Sequence, residues 1–330
     1  MELINRTDYR WHLGGALGAL CVSASAVLLG LAAATPATAT AARCLFALPV
    51  VGALAWQERR RHGALSMSGY LTGVGCGVLF AGDMLWWTQS IPEVGAGLST
   101  VLVNTQIALV PLLAWLVDRE RVGPRFLWSL PVILAGVLLA GGAFQRGAVG
   151  SNPVWGTVHA IAAALCYSGF LFLLRRGGQA GQPMQTYGTV LVSAAIIAIA
   201  TGPCWHGVDF TPPWSSIGWL VLVTLTGQLL GWLLVAFCSP RLPSDVSSAL
   251  LLLTPVGAVV LGALVLRERP TTLQLTGCAI VLAASYVATS RPRQSRTCGT
   301  RGTAIGSERA PVDERGGVNA STETQEGDTL

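Results

Sequence analysis

Residues 99–121 read STVLVNTQIALVPLLAWLVDRER, and residues 247–269 read SSALLLLTPVGAVVLGALVLRER. When the numbering is shifted by 148, eight of the twenty-three positions are identical. Shared leucines carry little weight, since any two apolar helices have some in common, but the closing Arg-Glu-Arg is specific because charge is scarce in this chain. A second similarity lies upstream, where GDMLWW at residues 82–87 resembles GQLLGW at residues 227–232. The sequence therefore predicts a chain built from two copies of one apolar unit.

The composition is that of an integral membrane protein. Of the 330 residues, 52% are hydrophobic and 11% are charged, whereas soluble proteins carry about 25% charged residues. The net charge of +5 is spread over loops without a basic and aromatic patch, so nucleic-acid binding is not indicated. The eight cysteines are scattered without a Cys-x-x-Cys pair, which favours small core residues over a disulfide framework or a zinc site.

Ten apolar runs predict an all-α protein with ten transmembrane helices, since about 20 residues cross roughly 30 Å of hydrocarbon. Short loops join the runs, so neighbours should pack as antiparallel hairpins. For the first run the alternative is a secretory signal peptide, but the chain enters a second apolar run at once. The runs cover residues 13–34, 41–56, 65–88, 94–117, 127–143, 154–174, 185–203, 216–238, 246–266 and 271–290.

The placement of arginine predicts the orientation, because cytoplasmic loops carry an excess of positive charge. With a cytoplasmic N-terminus, eleven arginines before the C-terminal tail lie inside and four lie outside. The outer four are Arg43, Arg146, Arg267 and Arg269. Both termini are therefore predicted to be cytoplasmic. The predicted location is the cell membrane, that is, a bacterial inner membrane or plasma membrane.

Five spans in each copy is an odd number, so the two copies must have opposite orientations. We predict a cytoplasmic N-terminus over residues 1–12, a first five-helix repeat over 13–143 and a second over 154–290. Residues 291–330 hold six arginines and six acidic residues with almost no large apolar side chain, which predicts a disordered cytoplasmic tail. Inverted repeats of this kind are frequent in secondary transporters.

Asp83 is the only acidic residue well inside a predicted span. A carboxylate near the bilayer centre costs about 2.5–3.5 kcal/mol, so it should face a cavity or a partner. In one interpretation Asp83 lies on the translocation path, as a contact for a substrate amine or as a proton site. In the other it lies about a turn from the outer end of the third span and pairs there, for example with Arg43. Trp86 and Trp87 follow, either stacking on a substrate or anchoring the helix at the interface.

Polar residues and prolines interrupt the fourth and ninth spans in matching regions. Asn104 and Gln106 lie mid-span in the fourth, with Pro111 about one turn on, and Thr254 and Pro255 occupy the same region of the ninth. Proline removes a backbone donor and frees a carbonyl upstream. Interrupted helices in matching positions of two halves predict a substrate site near the membrane midplane. Two kinked helices packed on their neighbours are the alternative.

Four further residues complete the predicted site. His159 and Tyr167 lie eight residues apart in the sixth span and so share a helix face, either lining the cavity or forming a hydrogen-bonded pair in the core. Gln228 is the counterpart of Asp83 in the second copy, and Trp232 matches the second tryptophan that follows Asp83. We predict that these residues line the site together with the polar residues of the third and fourth spans.

Glu120 and Glu268 close the two copies of the repeated stretch. The inverted topology places them on opposite sides of the membrane, so they cannot act together on one substrate. We expect each to pair with a flanking arginine and to fix the loop that follows.

Three groups of residues form a pattern that is typical of one family: Thr35-Pro36 with Arg43, the stretch 97–120 with Gly136, and the stretch 248–268 with Gly277. By these residues the chain resembles, over residues 13–290, the EamA domain, the ten-helix branch of the drug/metabolite transporter superfamily. The first copy departs from the family pattern, because the family's helix-breaking proline matches Pro255 whereas Ile107 holds that place in the first copy.

The resemblance implies export or exchange of small metabolites, often amino acids or amphipathic organic compounds, by alternating access. The sequence has no Gly-x-x-x-x-Gly-Lys loop for ATP, so a gradient, of protons or another ion, is the expected drive. The expected partners are a small-molecule substrate and the lipid bilayer, with neither a cofactor nor a metal, and the oligomeric state is not predicted.

Two other classes of protein are alternatives to a transporter. An intramembrane enzyme needs metal ligands or an activated nucleophile, but His-Glu-x-x-His and Gly-x-Ser-x-Gly are absent and Ser168 near His159 is the only loose candidate. A non-transporting scaffold or receptor has no need for polar residues at matching mid-span positions. The sequence therefore predicts a transporter that is not an enzyme.

Overall fold

The computed structural model describes residues 6–120, 122–142, 145, 147–177, 182–231, 233–234, 238 and 244–289. Every regular element in these ranges is a helix, which confirms the predicted all-α class for this part of the chain. The predicted tail at 291–330 lies outside the described residues. The elements are α1 (Arg6–Ala32), α2 (Pro36–His62), α3 (Met67–Val94), α4 (Ala96–Val103), α5 (Gln106–Asp118), α6 (Pro124–Ala140), α7 (Pro153–Gly177), α8 (Pro183–Thr201), a short 3-10 helix (Gly202–Cys204), α9 (Trp214–Val223), a π-helix (Thr224–Gly231), α10 (Ser244–Val265) and α11 (Thr272–Thr289).

Several of these helices are long and apolar enough to cross a membrane. By length and composition the six clearest are Arg10–Ala32, Pro36–His62, Ala96–Asp118, Pro153–Gly177, Pro183–Cys204 and Trp214–Gly231. Shorter apolar helices cover Pro124–Ala140, Leu252–Val265 and Thr272–Ala288. The chain is therefore a multi-pass membrane protein, and the count of ten spans stays a prediction.

Two helix boundaries decide where charge lies in the bundle. Thr35 caps α2 by accepting a hydrogen bond from Thr38 N at 3.3 Å, and Pro36 fits the first helical position because its missing N–H has no partner there. Arg43 is therefore two turns inside α2. α3 continues six residues beyond its predicted end and ends at Val94. Asp83 therefore lies eleven residues before the end of α3, which is about 16 Å at 1.5 Å per residue.

The loops gather at two faces of the bundle. At the first face, Thr35 Oγ1 donates to Gly207 O at 3.0 Å and Ser151 N donates to Pro92 O at 3.1 Å. At the second face, Gln182 Nε2 donates to His62 O at 3.1 Å. The α1–α2 and α3–α4 turns thus share the first face, where Ala32 and Ala96 belong to one apolar cluster.

The fourth predicted span is two helices. α4 ends at Val103 and α5 begins at Gln106, with a tight turn between them in which Thr105 N donates to Leu102 O at 3.1 Å. The Thr105 hydroxyl donates to the same carbonyl at 2.8 Å, and such side-chain competition for backbone groups disfavours a continuous helix. The predicted break at Pro111 is thus displaced, since Pro111 lies inside α5.

The ninth predicted span behaves differently from the fourth. α10 runs through Pro255 as one continuous helix, so the predicted break at Thr254 and Pro255 is not seen as an interruption. Neighbouring α1 contacts this part of α10, because Ser23 Oγ donates to Thr254 O at 2.9 Å. The backbone of α10 therefore gains a partner from another helix beside its proline.

α4 and α10 pack closely at Gly97. A Cβ atom added to Gly97 would lie 2.6 Å from Val259 Cα and 3.2 Å from Ala258 O. Only a residue without a side chain fits that approach, and the contact brings the two copies of the repeated stretch together.

We predict that Gly97→Ala lowers the free energy of unfolding by about 1–3 kcal/mol, because the added methyl group must push two backbones apart. Thermal unfolding of the purified protein in detergent measures the effect. Gly218→Ala on α9 is the matched control, because nothing lies within 4 Å of its added Cβ atom. Equal melting temperatures of the two variants would contradict the close approach.

Candidate functional site

A cavity of about 190 Å³ lies among α1, α2, α3, the α4–α5 break, α7 and α10. Its wall combines polar groups with a larger apolar surface. The polar lining residues are Ser25, Arg43, Asp83, Thr100, Asn104, Gln106, Tyr167 and Thr254, and the apolar ones are Val22, Met84, Trp87, Val103, Ile107 and Pro255.

The structure brings together most of the site residues predicted from the sequence. Those that line the cavity are Asp83, Trp87, Asn104, Gln106, Tyr167, Thr254 and Pro255. Those that do not line it are Trp86, Pro111, His159 and Gln228, and Trp232 lies outside the described residues. The matching regions of the two repeated stretches therefore meet at one cavity.

Asp83 occupies the middle of α3 and is 3% exposed. The alternative in which it reaches the interface is disfavoured, because the helix continues well past it. No ion pair within 4.0 Å holds its carboxylate among the described residues. The carboxylate thus faces the cavity with its charge uncompensated by direct contact.

Arg43 also lines this cavity and carries the charge opposite in sign to that of Asp83; it is 5% exposed. Its guanidinium lies 5.8 Å from the centroid of the Trp87 ring, within range of a cation–π interaction. One terminal nitrogen donates to Met84 Sδ at 3.1 Å, a weak acceptor, and Nε has no hydrogen-bond partner among the described residues. Arg43 therefore retains donors for a bound anion.

Arg43 and Asp83 interact electrostatically, although no guanidinium nitrogen lies within 4.0 Å of a carboxylate oxygen, the limit for an ion pair. Buried charges of proteins are normally paired or hydrogen-bonded, because desolvation is costly. Two opposite charges that line one cavity without a direct ion pair are suited to bind a charged solute.

Unsatisfied polar atoms surround the same cavity. The buried atoms Asn104 Nδ2, Gln106 Oε1 and Trp87 Nε1 have no hydrogen-bond partner in the part of the chain that the structure describes. In folded proteins such atoms are few and call for an explanation. Asn104 and Gln106 lie at the α4–α5 break and line the cavity together with Trp87, so these atoms can form hydrogen bonds with a bound solute.

Gln228 lies in the π-helix and is 3% exposed. Its side chain lies beside the Tyr187 hydroxyl, but neither amide atom makes a hydrogen bond of standard geometry with a described residue. The π-helix packs on α1 at Ser25 and Val22, two cavity residues. Gln228 is thus close to the site through its helix, without lining it.

His159 and Trp86 belong to an aromatic cluster at the first face. His159 Nδ1 lies 2.5 Å from Glu93 Oε2, and the Trp86 ring stacks on His159 with centroids 5.2 Å apart. Trp205 packs on Trp86 at 4.3 Å between centroids, and Gln89 Nε2 donates to Glu93 at 2.7 Å. In this position His159 holds helices α3 and α7 together near the first face.

From the sequence, Arg43 is named only as a possible partner of Asp83 on the outer side and is not included among the site residues. A local signal could have found it. The Thr35-Pro36 pair is a typical helix start, and starting α2 there places Arg43 two turns within the span rather than ahead of it.

The closing glutamates of the two repeated stretches have partners on other helices. The expected pairing with a flanking arginine is wrong for Glu268, whose carboxylate accepts hydrogen bonds from Ala96 N at 2.6 Å and Gly97 N at 3.3 Å. Glu120 pairs with Arg175 of α7 at 2.9 Å. Each glutamate therefore links helices that are distant in sequence.

Comparison with known proteins agrees with this architecture. A family model described as the EamA-like transporter family matches residues 9–142 and 154–290. No curated protein matches the chain significantly. A solved crystal structure is similar with a TM-score of 0.54 and 21% sequence identity, over 85% of this chain and 96% of that chain. At that identity the similarity shows a shared fold alone.

We predict that His159→Ala lowers the free energy of unfolding by about 1–3 kcal/mol, because it removes the ring that partners a half-buried carboxylate. Thermal unfolding in detergent of the single variants and of the double variant with Glu93→Gln gives the coupling. A double variant as stable as His159→Ala alone is expected. Fully additive losses would contradict a direct His159–Glu93 interaction.

Proposed function

Because the chain belongs to the EamA-like transporter family, we propose that it is a secondary transporter that exports or exchanges small organic metabolites, and that the cavity is its substrate site. The family and the apolar helices already make it a multi-pass membrane transporter of the drug/metabolite transporter superfamily. The proposal adds the class of substrate, the route and the coupling.

The observation that carries the substrate class is the separated pair of buried charges. Arg43 presents free donors, and a guanidinium binds a carboxylate with two parallel hydrogen bonds. Asp83 presents a carboxylate that can bind an ammonium group. A solute with both groups, such as a neutral amino acid, would satisfy both charges at once.

The size and the apolar wall of the cavity restrict the rest of the substrate. An apolar cavity of roughly 150 Å³ holds a molecule the size of benzene, and this cavity measures about 190 Å³. Val22, Trp87, Val103 and Ile107 line it. These side chains suit a small apolar or aromatic group attached to the charged end of the substrate.

Alternating access between two inverted five-helix repeats, over residues 13–143 and 154–290, is the proposed route. Its support is the direction of corresponding helices. α1 ends at the first face, next to Thr35, whereas α7 begins there, next to Ser151. The helices α4 and α10, at matching positions of the two repeats, both line the cavity, as expected for a site between the repeats.

The proposed location is the plasma membrane or the bacterial inner membrane. In the proposed orientation the second face and both termini lie in the cytoplasm. Arginines support this assignment, because Arg59, Arg60 and Arg61 close α2 at the second face and Arg175 and Arg176 close α7 there. Cytoplasmic ends of membrane helices carry this excess.

Proton coupling is proposed for Asp83. In one half of the cycle its carboxylate binds the substrate amine, and in the other half it carries a proton, so the substrate and the proton compete for one group. If the site opens to the two sides in turn, this competition exchanges a proton for a substrate molecule across the membrane.

The transport proposal is tested by an untargeted assay. Proteoliposomes are loaded with a mixed metabolite pool, a pH gradient of either sign is imposed, and mass spectrometry identifies the solutes that cross. A neutral amino acid that moves against its gradient only when the protein is present is the expected result. If nothing moves from two independent pools while the protein is folded, a scaffold or receptor becomes the better interpretation.

We predict that Asp83→Asn abolishes substrate accumulation driven by a pH gradient and leaves the protein folded, because the amide can neither carry the proton nor pair with the ammonium group. The measurement is proteoliposome transport at several pH values. Asp118→Asn, at the exposed pair with Arg176, is the matched control and should transport normally. Normal transport by Asp83→Asn across the pH range would rule out the proton site.

We predict that Arg43→Gln raises KM for a carboxylate-bearing substrate about 10- to 100-fold, because a hydrogen bond to a charged group contributes about 1.5–3 kcal/mol. Arg60→Gln, on the same helix and stacked on Trp56, is the control and should leave KM unchanged. Equal KM values for the two variants would show that Arg43 does not bind the substrate.

A further inference from the structure

The Arg-Glu-Arg ends of the two repeated stretches have the same backbone geometry. Arg119 and Arg267 adopt the left-handed backbone conformation, with φ of 55° and 56°. Glu120 N donates to Ala114 O at 3.3 Å, and Glu268 N donates to Gly262 O at 3.2 Å. In each copy the N–H of the glutamate thus bonds to the carbonyl six residues earlier, and the residue just before the glutamate is left-handed. This is a common way for an α-helix to end. In both copies it projects a glutamate beyond the helix end.

In the second copy the projected glutamate caps another helix. Glu268 accepts hydrogen bonds from Ala96 N and Gly97 N, the first two amides of α4. These amides have no partner within their own helix, and the positive end of the helix dipole favours a carboxylate there. Glu268 therefore fastens α10 of one repeat to α4 of the other.

Gly262 makes room for this contact. A Cβ atom at Gly262 would lie 2.6 Å from Glu268 Oε2 and 3.4 Å from Gly97 N. A side chain at this position would thus displace the carboxylate from α4. The cap is built into the packing of the two helices and is not a chance contact of a surface side chain.

In the first copy the glutamate does not cap the corresponding helix. Ala96, which Glu268 caps, corresponds to Ser244 when the numbering is shifted by 148, and Ser244 is the first residue of α10. Glu120 does not cap that helix, because its bond among the described residues goes to Arg175 at 2.9 Å. Both partners are largely solvent-exposed, with side-chain exposures of 48% and 64%, and exposed ion pairs contribute little.

From this asymmetry we propose that Glu268 and Glu120 are alternating helix caps, one for each face of the transporter. In the state described by this structure, Glu268 caps α4 and closes the first face, and Glu120 is released. In the opposite state Glu120 leaves Arg175 and caps the start of α10, while Glu268 releases α4. The proposal rests on the proposed function, since it assigns the two glutamates as positioning residues of alternating access.

The caps act on the substrate site through the helices that they hold. α4 carries Thr100 and Val103 into the cavity, and α10 carries Thr254 and Pro255. Exchange of the caps therefore moves two helices of the cavity wall in turn. Only hydrogen bonds are exchanged, so the step needs no additional reactant.

Amide hydrogen exchange with mass spectrometry on the purified full-length protein, without substrate, tests the proposal. We expect Glu268→Ala to speed exchange at Ala96 and Gly97 about tenfold, the typical effect of losing a charged cap. We also expect slower exchange at the first amides of α10, because the population shifts to the state capped by Glu120. Adding Glu120→Ala should abolish that slowing.

Two further variants keep the test decisive. Gly262→Ala should reproduce the exchange pattern of Glu268→Ala, because it displaces the carboxylate without removing it. Arg269→Gln, an exposed neighbour, is the control and should leave both helix starts unchanged. Unchanged exchange at α10 in Glu268→Ala would show that the cap is only a local structural contact, and unchanged exchange at Ala96 and Gly97 would show that it is absent. Because this readout needs no substrate, it is independent of the transport assay.

Discussion

Two opposite charges, Arg43 and Asp83, are buried at one cavity without forming an ion pair. Leaving one member of a buried pair without its partner is destabilising by about 3–5 kcal/mol, so a chain that separates both members must keep the separation by its packing. α2 and α3 supply the two charges from different helices, and Trp87 lies beside the guanidinium. The fold therefore keeps a charged, partly unsatisfied site that a zwitterionic solute can complete.

The rest of the bundle positions this site. The break between α4 and α5 is flanked by two amide side chains that line the cavity, Asn104 and Gln106, and it lies where the two repeated stretches meet. Glu268 holds α4 at its other end, so the short helix is fixed at the first face and ends at the cavity. A helix of eight residues is too short to be stable by itself in isolation. Its position depends on these tertiary contacts.

Much of the site could be predicted from the sequence, because a polar residue in an apolar run is conspicuous and the repeat supplies a second copy to compare. Asp83, Asn104 and Thr254 were found in this way, and all three line the cavity. Gln228 was predicted as the counterpart of Asp83, but the repeat relates sequence positions and not side-chain surroundings, and the π-helix places Gln228 beside Tyr187 instead.

What could not be predicted depends on contacts between distant parts of the chain. The pairing of His159 with Glu93 needs α3 to extend past its apolar run, and the end of an apolar run is a poor guide to the end of a helix. The cap by Glu268 joins residues that are 172 apart in sequence. No local spacing encodes such a contact. Arg43 was missed for a different reason, because an arginine near a span end was assigned to a loop.

The most direct test of the separated charges is equilibrium binding to the purified protein. For each of several neutral amino acids, three matched solutes are compared: the amino acid, the amine that lacks its carboxyl group, and the acid that lacks its amino group. The account predicts that at least one amino acid binds tenfold or more tightly than both of its analogues, since each lost charged hydrogen bond costs about 1.5–3 kcal/mol. Analogues that bind as tightly as the amino acid in every set would contradict it.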